Sequence, residues 1–151
     1  MKKRLFALLL PCVLLLTACM DNRIGEAFDG AVNTRDDVTM TLVEGTASST
    51  GAEVEILNMV DAEVFSGNES VFSLQVEQDG VWHVLEPHQT TDHTAEALIY
   101  PTGEPVAHKL VWSHAGYAPL SAGHYRVIRD FSQTTPDGYD DFLLAAEFTL
   151  Q

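Results

Sequence analysis

The sequence predicts an all-β protein, a sandwich of about seven to eight antiparallel strands. Three observations predict it. Apolar and polar residues alternate in run after run, the period of a strand with one buried face. Clusters of Gly, Asp, Asn, Ser and Pro punctuate those runs at intervals of about 8–12 residues, the rhythm of short strands joined by turns. No stretch beyond the first twenty residues holds a helical period long enough for a full-length helix.

The chain of 151 residues has room for one domain of ordinary size. Its start reads as something else. Lys2, Lys3 and Arg4 precede the apolar run Leu5–Leu16, and Leu16-Thr17-Ala18-Cys19 follows. A basic head, a short apolar run and small residues before a cut site make a secretory signal, here residues 1–18. The run is too short to span a bilayer, for which about 20 apolar residues are needed. The tetrad resembles the bacterial lipobox. That resemblance implies a diacylglyceryl group on the Cys19 thiol and cleavage that leaves Cys19 as the first mature residue.

Residues 19–36 are expected to be a lipid anchor and tether, and residues 37–151 the sandwich. The tether stretch has two glycines, several polar residues and little periodicity. Ile24, Phe28 and Val32 recur at spacing four, so a short docking helix is the other reading of it. Val38, Met40 and Leu42 then alternate with threonines in a first strand. Gly45–Gly51 is a turn or hairpin loop, and Val54 and Ile56 point inward from the next strand. Val60–Phe65 reads equally as a connection or a short edge strand. Phe72, Leu74 and Val76 share one face of the following run.

Asp79-Gly80 separates that run from Val81–Pro87. Asp-Gly between two alternating runs is a hairpin signal, because both central turn residues need positive φ. Trp82 is expected to anchor this hairpin in the core. Ala95–Tyr100 is a short strand stopped by Pro101 and Pro105, which bar a central strand. Leu110 and Trp112 fall on one face of the next strand, and Tyr125, Val127 and Phe131 on one face of another. Ser132–Gly138 reads as a turn cluster. Phe142, Leu144, Ala146, Phe148 and Leu150 form one face of a terminal strand.

Leu120-Ser-Ala-Gly-His-Tyr125 places a turn glycine just ahead of a strand and a tyrosine two residues later. It resembles the tyrosine corner of immunoglobulin-like sandwiches, whose hydroxyl bonds upstream backbone. From about Val38 to Leu150 the chain resembles a family of bacterial immunoglobulin-like domains found in cell-surface and lipoprotein chains. The likeness rests on Phe72-Ser-Leu, Asp79-Gly80-Val-Trp82-His-Val-Leu, Trp112-Ser, Leu120-Ser-Ala-Gly123-His-Tyr125-Arg126-Val, Phe131 and Ala145-Ala-Glu-Phe148. Three departures fall in loops: Pro101-Thr-Gly103-Glu104 carries an extra residue, Gly116-Tyr117 stands where Tyr-Gly is usual, and Gly45–Gly51 replaces an Asn-rich turn. The resemblance implies an immunoglobulin-like sandwich at a cell surface and carries over no catalytic residue. A looser likeness is to immunoglobulin-like intracellular proteinase inhibitors.

Removing residues 1–18 takes away Lys2, Lys3 and Arg4. It leaves five Lys plus Arg against 22 Asp plus Glu, a balance of −17. Such a surface repels nucleic acid and anionic lipid and suits a basic partner or cations. Cys12 leaves with the signal and Cys19 is acylated, so no disulfide is expected. The histidines His83, His88, His93, His108, His114 and His124 match no metal spacing, although His88, Asp92 and His93 share one loop. Asp137-Gly138-Tyr139-Asp140-Asp141, with Asp36-Asp37, offers hard oxygen ligands for calcium but not at EF-hand spacing. No Gly-x-Ser-x-Gly is present, and Ser113-His114 are chain neighbours rather than a positioned nucleophile and base. Trp82 and Trp112 could line a ligand patch, but their parity assigns them to the core.

The sequence therefore leads to a non-catalytic binding or structural module, without cofactor or metal. Cys19 would hold it on the extracytoplasmic face of a bacterial membrane. Its expected partners are the membrane, through the anchor, and an envelope or extracellular protein, not nucleic acid. Regulation of a protease by an inserted loop and cation binding by acidic loops are the alternatives.

Overall fold

A computed structural model describes residues 22–151. The expected signal peptide, Cys12 and Cys19 lie outside the described residues. Among the described residues, ten strands form two sheets. One sheet has three strands in the order β2 (Val38–Leu42), β3 (Gly51–Asn58) and β8 (Pro105–Val111). The other holds β1 (Arg23–Ala27), β4 (Val64–Gly67), β5 (Ser73–Gln78), β6 (Val81–Glu86), β7 (Ala97–Tyr100), β9 (Gly123–Thr135) and β10 (Gly138–Leu150). Every strand pairing is antiparallel. The expected immunoglobulin-like sandwich is what forms.

β9 organises the larger sheet. Along one edge it pairs with β10 over its whole length, from Gly123↔Leu150 to Thr135↔Gly138. Along the other edge it meets β5 between Tyr125 and Ile128, then β4 between Phe131 and Gln133. β4 and β5 are thus one line of the sheet, broken by the loop 68–72. β7 and β6 form the next line, broken by the loop 87–96. β1 closes the β6 edge. The Asp79-Gly80 turn has φ of 52° and 80°, the two positive values that its sequence predicts.

The core is built from the faces that alternation selects. Val38, Val54, Ile56, Leu74, Leu110 and Val127 are fully buried. Two aromatic columns run through it. Trp112 stacks on Phe148 at 5.6 Å, and Phe148 on Tyr125 at 5.7 Å. Phe131 lies 5.6 Å from Tyr100 and stacks on Phe142 at 5.8 Å. Such offset aromatic contacts add about 0.5–1.5 kcal/mol each beyond the area they bury. Trp112 takes its core place from a 3₁₀ turn, Trp112–Ala115, rather than from a strand. Gly116 ends that turn at φ 83°, and a Cβ there would sit 2.1 Å from the Gln89 carbonyl oxygen. This close approach accounts for the glycine before Tyr117.

Four expectations change. Ile24, Phe28 and Val32 make no helix: the expected tether enters the sheet as β1, and Phe28 N donates to Trp82 O at 2.7 Å. The chain then crosses to the opposite edge of the same sheet. There Asn33 N donates to Leu143 O, and the Asn33 amide both donates to and accepts from the Ala145 backbone at 3.1 and 2.9 Å. Residues 28–33 are a strap over the outer face. Second, Ser132–Gly138 is mostly strand, with only Pro136 and Asp137 left as the turn between β9 and β10. Third, Trp82 points away from the core, because Leu85 has the inward parity of β6. Fourth, ten strands replace the expected seven to eight, β1 being one that periodicity does not reveal.

Tyr125 completes the expected corner, its hydroxyl donating to Ser121 O at 3.0 Å. Tyr125→Phe keeps the ring stack and deletes this one bond. It should lower stability by about 1 kcal/mol. The readout is a lower urea midpoint with an unchanged m-value; a curve superimposable on the wild type would mean that the ring alone carries the corner.

Candidate functional site

β9 alternates inward at Tyr125, Val127, Arg129 and Phe131, so an arginine stands in the apolar face of the central strand. Arg129 has no exposed surface. Its position is the break between β4 and β5. There Nη2 donates to Ser66 Oγ at 2.9 Å, Gly67 O at 2.7 Å and Asn68 O at 3.0 Å. Those carbonyls belong to the chain as it leaves the sheet. Ser66 Oγ lies 2.8 Å from the Tyr100 hydroxyl, and Tyr100 packs edge-on to His108. His108 Nδ1 is 3.1 Å from Glu69 Oε1. Burial pushes the Arg129 pKa down, while the Tyr100 and Glu69 side chains favour its charge. Arg129, Ser66, Tyr100 and His108 are buried, Glu69 is the exposed end of the cluster, and the whole serves as a joint.

Alternation also leaves an outward face on the larger sheet, and the two halves of that face differ. Over β5, β9 and β10 the strap covers it. Gln75, Arg126, Ile128 and Ala145 have the outward parity and are nonetheless buried. Arg126 lies between two rings, 4.3 Å from the centre of Trp82 and 5.3 Å from that of Phe28, and Nε donates to Gln75 Oε1 at 2.8 Å. His124 packs at a tilt against Trp82, ring centres 5.0 Å apart, and sits between the Glu77 and Glu147 carboxylates.

Over β7, β4 and the far ends of β9 and β10 the face is bare. Ile99 is 59% exposed and Tyr139 69%. Phe65 lies between them, opposite Ile99 in register and 5.6 Å from Tyr139, edge to face. The three make an apolar ridge across the sheet. Beside it is a depression of about 300 Å³ lined by Asp130, Phe131, Ser132, Asp141, Phe142 and Leu143. Asp130 and Asp141 are exposed there, with Ser132 Oγ donating to Asp141 Oδ1 at 2.6 Å. An acidic hollow beside an apolar ridge can take a cationic side chain together with its apolar neighbours.

The residues singled out for other chemistry do not come together. His83 faces Gly25 O, His93 faces Ser70 and Thr91, His108 faces Glu69, and His88 and His114 are exposed. Among the described residues no group of three or more His, Cys, Asp or Glu is arranged to hold a metal ion. The acidic run Asp137–Asp141 is not gathered into a loop. From Gly138 it is strand; Asp140 pairs with Arg35 at 3.2 Å, and Asp141 faces the hollow. Arg35 also clamps Asp37 at 2.8 Å, and its hydrogen bond holds the Asp37 carboxyl below the usual range. Periodicity gave no warning of Arg129 or of the ridge. The available signals were a charge at an inward position and two aromatics, Phe65 and Tyr139, at outward ones.

The bacterial Ig-like domain profile matches residues 34–149. The chain belongs to the bacterial Ig-like domain family. The match spans β2 to β10 and includes both the ridge and the buried joint. β1 and the strap precede it. No curated protein and no solved structure matches the chain.

Two outcomes are expected of the joint. Arg129→Met removes the donor for Ser66, Gly67 and Asn68, and stranded acceptors of this kind cost about 1–3 kcal/mol. Chemical denaturation measures the loss; an unchanged midpoint would show that water replaces the guanidinium. Tyr100 and Tyr117 are held above the ordinary tyrosine range, chiefly by burial. Their neutral-form contribution is thus intact below about pH 10 and lost as pH rises through the folded values. Phenolate absorbance from these two, isolated by difference from Tyr100→Phe and Tyr117→Phe, should rise together with loss of tertiary circular dichroism.

Proposed function

We propose that this bacterial Ig-like domain is a non-catalytic binding module, held by an acylated Cys19 at the extracytoplasmic face of a bacterial membrane. Its partner is an envelope or extracellular protein that offers a lysine or arginine flanked by apolar side chains. The observation that carries the reading is the divided outer face. The strap covers one half down to buried aliphatic residues, and the other half keeps Ile99, Phe65 and Tyr139 beside an acidic hollow. Exposed apolar ridges with a polar rim mark interaction sites. The excess of acidic residues would speed the encounter with a basic partner.

The reading as a protease regulator needs a loop free to enter a cleft. The long loop 87–96 is tied down instead: His88 N donates to Gly116 O at 2.8 Å, and Asn68 Nδ2 donates to Thr94 O at 2.9 Å. No observation favours that reading over the ridge.

An affinity pull-down from envelope extract tests the assignment. Wild-type domain should retain a partner whose capture weakens as salt rises. Ile99→Ser with Tyr139→Ser should abolish capture. Asp130→Asn with Asp141→Asn should weaken it and flatten its salt dependence. Retention by both double variants would place the binding surface elsewhere.

A further inference from the structure

We propose that the β1 edge of the sandwich, with residues 118–121 beside it, lies flat against the membrane surface that carries the Cys19 anchor. This rests on the reading of Cys19 as acylated. The Asn22 side chain clamps the body: Nδ2 donates to Ala118 O at 2.9 Å, and Ala118 N donates to Oδ1 at 2.8 Å. Only Met20 and Asp21 separate Asn22 from Cys19. Three peptide steps reach about 11 Å at most, whatever their conformation. The acylated residue therefore stays within that distance of the clamp, and no free tether intervenes.

The surface at this point suits a headgroup layer. Arg23, Arg35, Lys109, Arg126 and Arg129 are the basic residues among those described. Arg35 is paired with two aspartates, and Arg126 and Arg129 are buried. Arg23 is the exposed cation next to the anchor; its side chain is 82% exposed, with Glu86 at 3.4 Å. Ile24, the next residue, is 47% exposed. It borders a cleft of about 230 Å³ shared with Val76, Leu85, Pro119, Leu120 and Tyr125. Ile24 and this cleft place apolar surface one clamp away from two acyl chains, and Arg23, on the opposite face of β1, adds a long exposed side chain at the same edge. The residues that create this geometry, Asn22 to Ala27, precede the span matched by the family, so the arrangement goes beyond what family membership supplies.

The geometry provides its own ruler. β10 is four strand positions from β1, about 19 Å. The β9 strand carries its turn at Pro136-Asp137 about 40 Å from Gly123, and Ala118 is at most about 18 Å from Gly123, so that turn lies at least about 20 Å from Ala118. The full-length chain, processed in cells, is reconstituted in liposomes of phosphatidylethanolamine and phosphatidylglycerol. Pro119→Cys and Asp137→Cys each carry one fluorescent probe, and headgroup-nitroxide lipid is the quencher. Mass spectrometry first establishes whether Cys19 is diacylated. Quenching should be several-fold stronger at position 119 than at 137, and adding Asn22→Ala, with the melting curve confirming a fold, should bring 119 down toward 137. Equal quenching at both positions on a diacylated chain overturns the docking and leaves the anchor standing. An unmodified Cys19 overturns the anchor, and the docking with it.

Discussion

One junction governs the architecture: the point on β9 where its neighbour changes from β5 to β4. A strand paired on both edges satisfies its backbone automatically, but a change of partner does not. The departing chain turns its half-buried Gly67 and Asn68 carbonyls toward Arg129. Arg129 supplies the donors from the centre of the core. An apolar residue there would fill the space and leave both carbonyls without these donors. Because the junction holds, β4 and β7 can extend the sheet beyond the span that β5 and β6 cover. That extension is the half-face on which the ridge stands.

Most of the sandwich was legible because its core obeys alternation without exception at the positions that matter. Val38, Val54, Leu74, Val127 and Leu144 all sit where a period of two puts them. The Asp79-Gly80 hairpin and the Tyr125 corner were legible for a different reason: each needs one local geometry that few residues can adopt or complete. What could not be read was anything decided across the chain. Trp82 has the size of a core anchor, yet its place was set by Phe28 and Arg126, which build an outer layer to receive it. The segment before Asp36 is too polar to advertise a strand, and β1 exists because β6 has an edge to offer. The β9–β10 turn was read as long because Thr134, Thr135 and Gly138 have turn chemistry, but cross-strand pairing continues through them. As for the candidate surface, Phe65 lay in a segment that read equally as connection or edge strand and Tyr139 in an acidic run, and only the pairing of β4, β7, β9 and β10 brings them together. The Cys19 reading falls outside the described residues.

The outer face shows how one sheet can be both finished and unfinished. Over β9 and β10 a strap completes a second, thin layer, in which Arg126 joins two aromatic rings and Asn33 stands in for a neighbouring strand at Ala145. At Leu143 and Ala145 the backbone edge of β10 is occupied by the Asn33 backbone N–H and side-chain amide. Over β4 and β7 no such layer exists, and apolar side chains remain at the surface. The contrast lies within one sheet of one composition, so it reflects how the chain is routed.

That routing sets an order of assembly. Asn33 reaches its place only after Ala145 has been synthesised, 112 residues later, and Asn22 waits for Ala118. The leading end is thus the first part of the molecule to emerge and among the last to be seated. Contacts so distant in sequence form slowly, because the intervening chain must be ordered before they can close. The leading segment therefore cannot be fully seated until β10, the last strand of the chain, has joined the sheet.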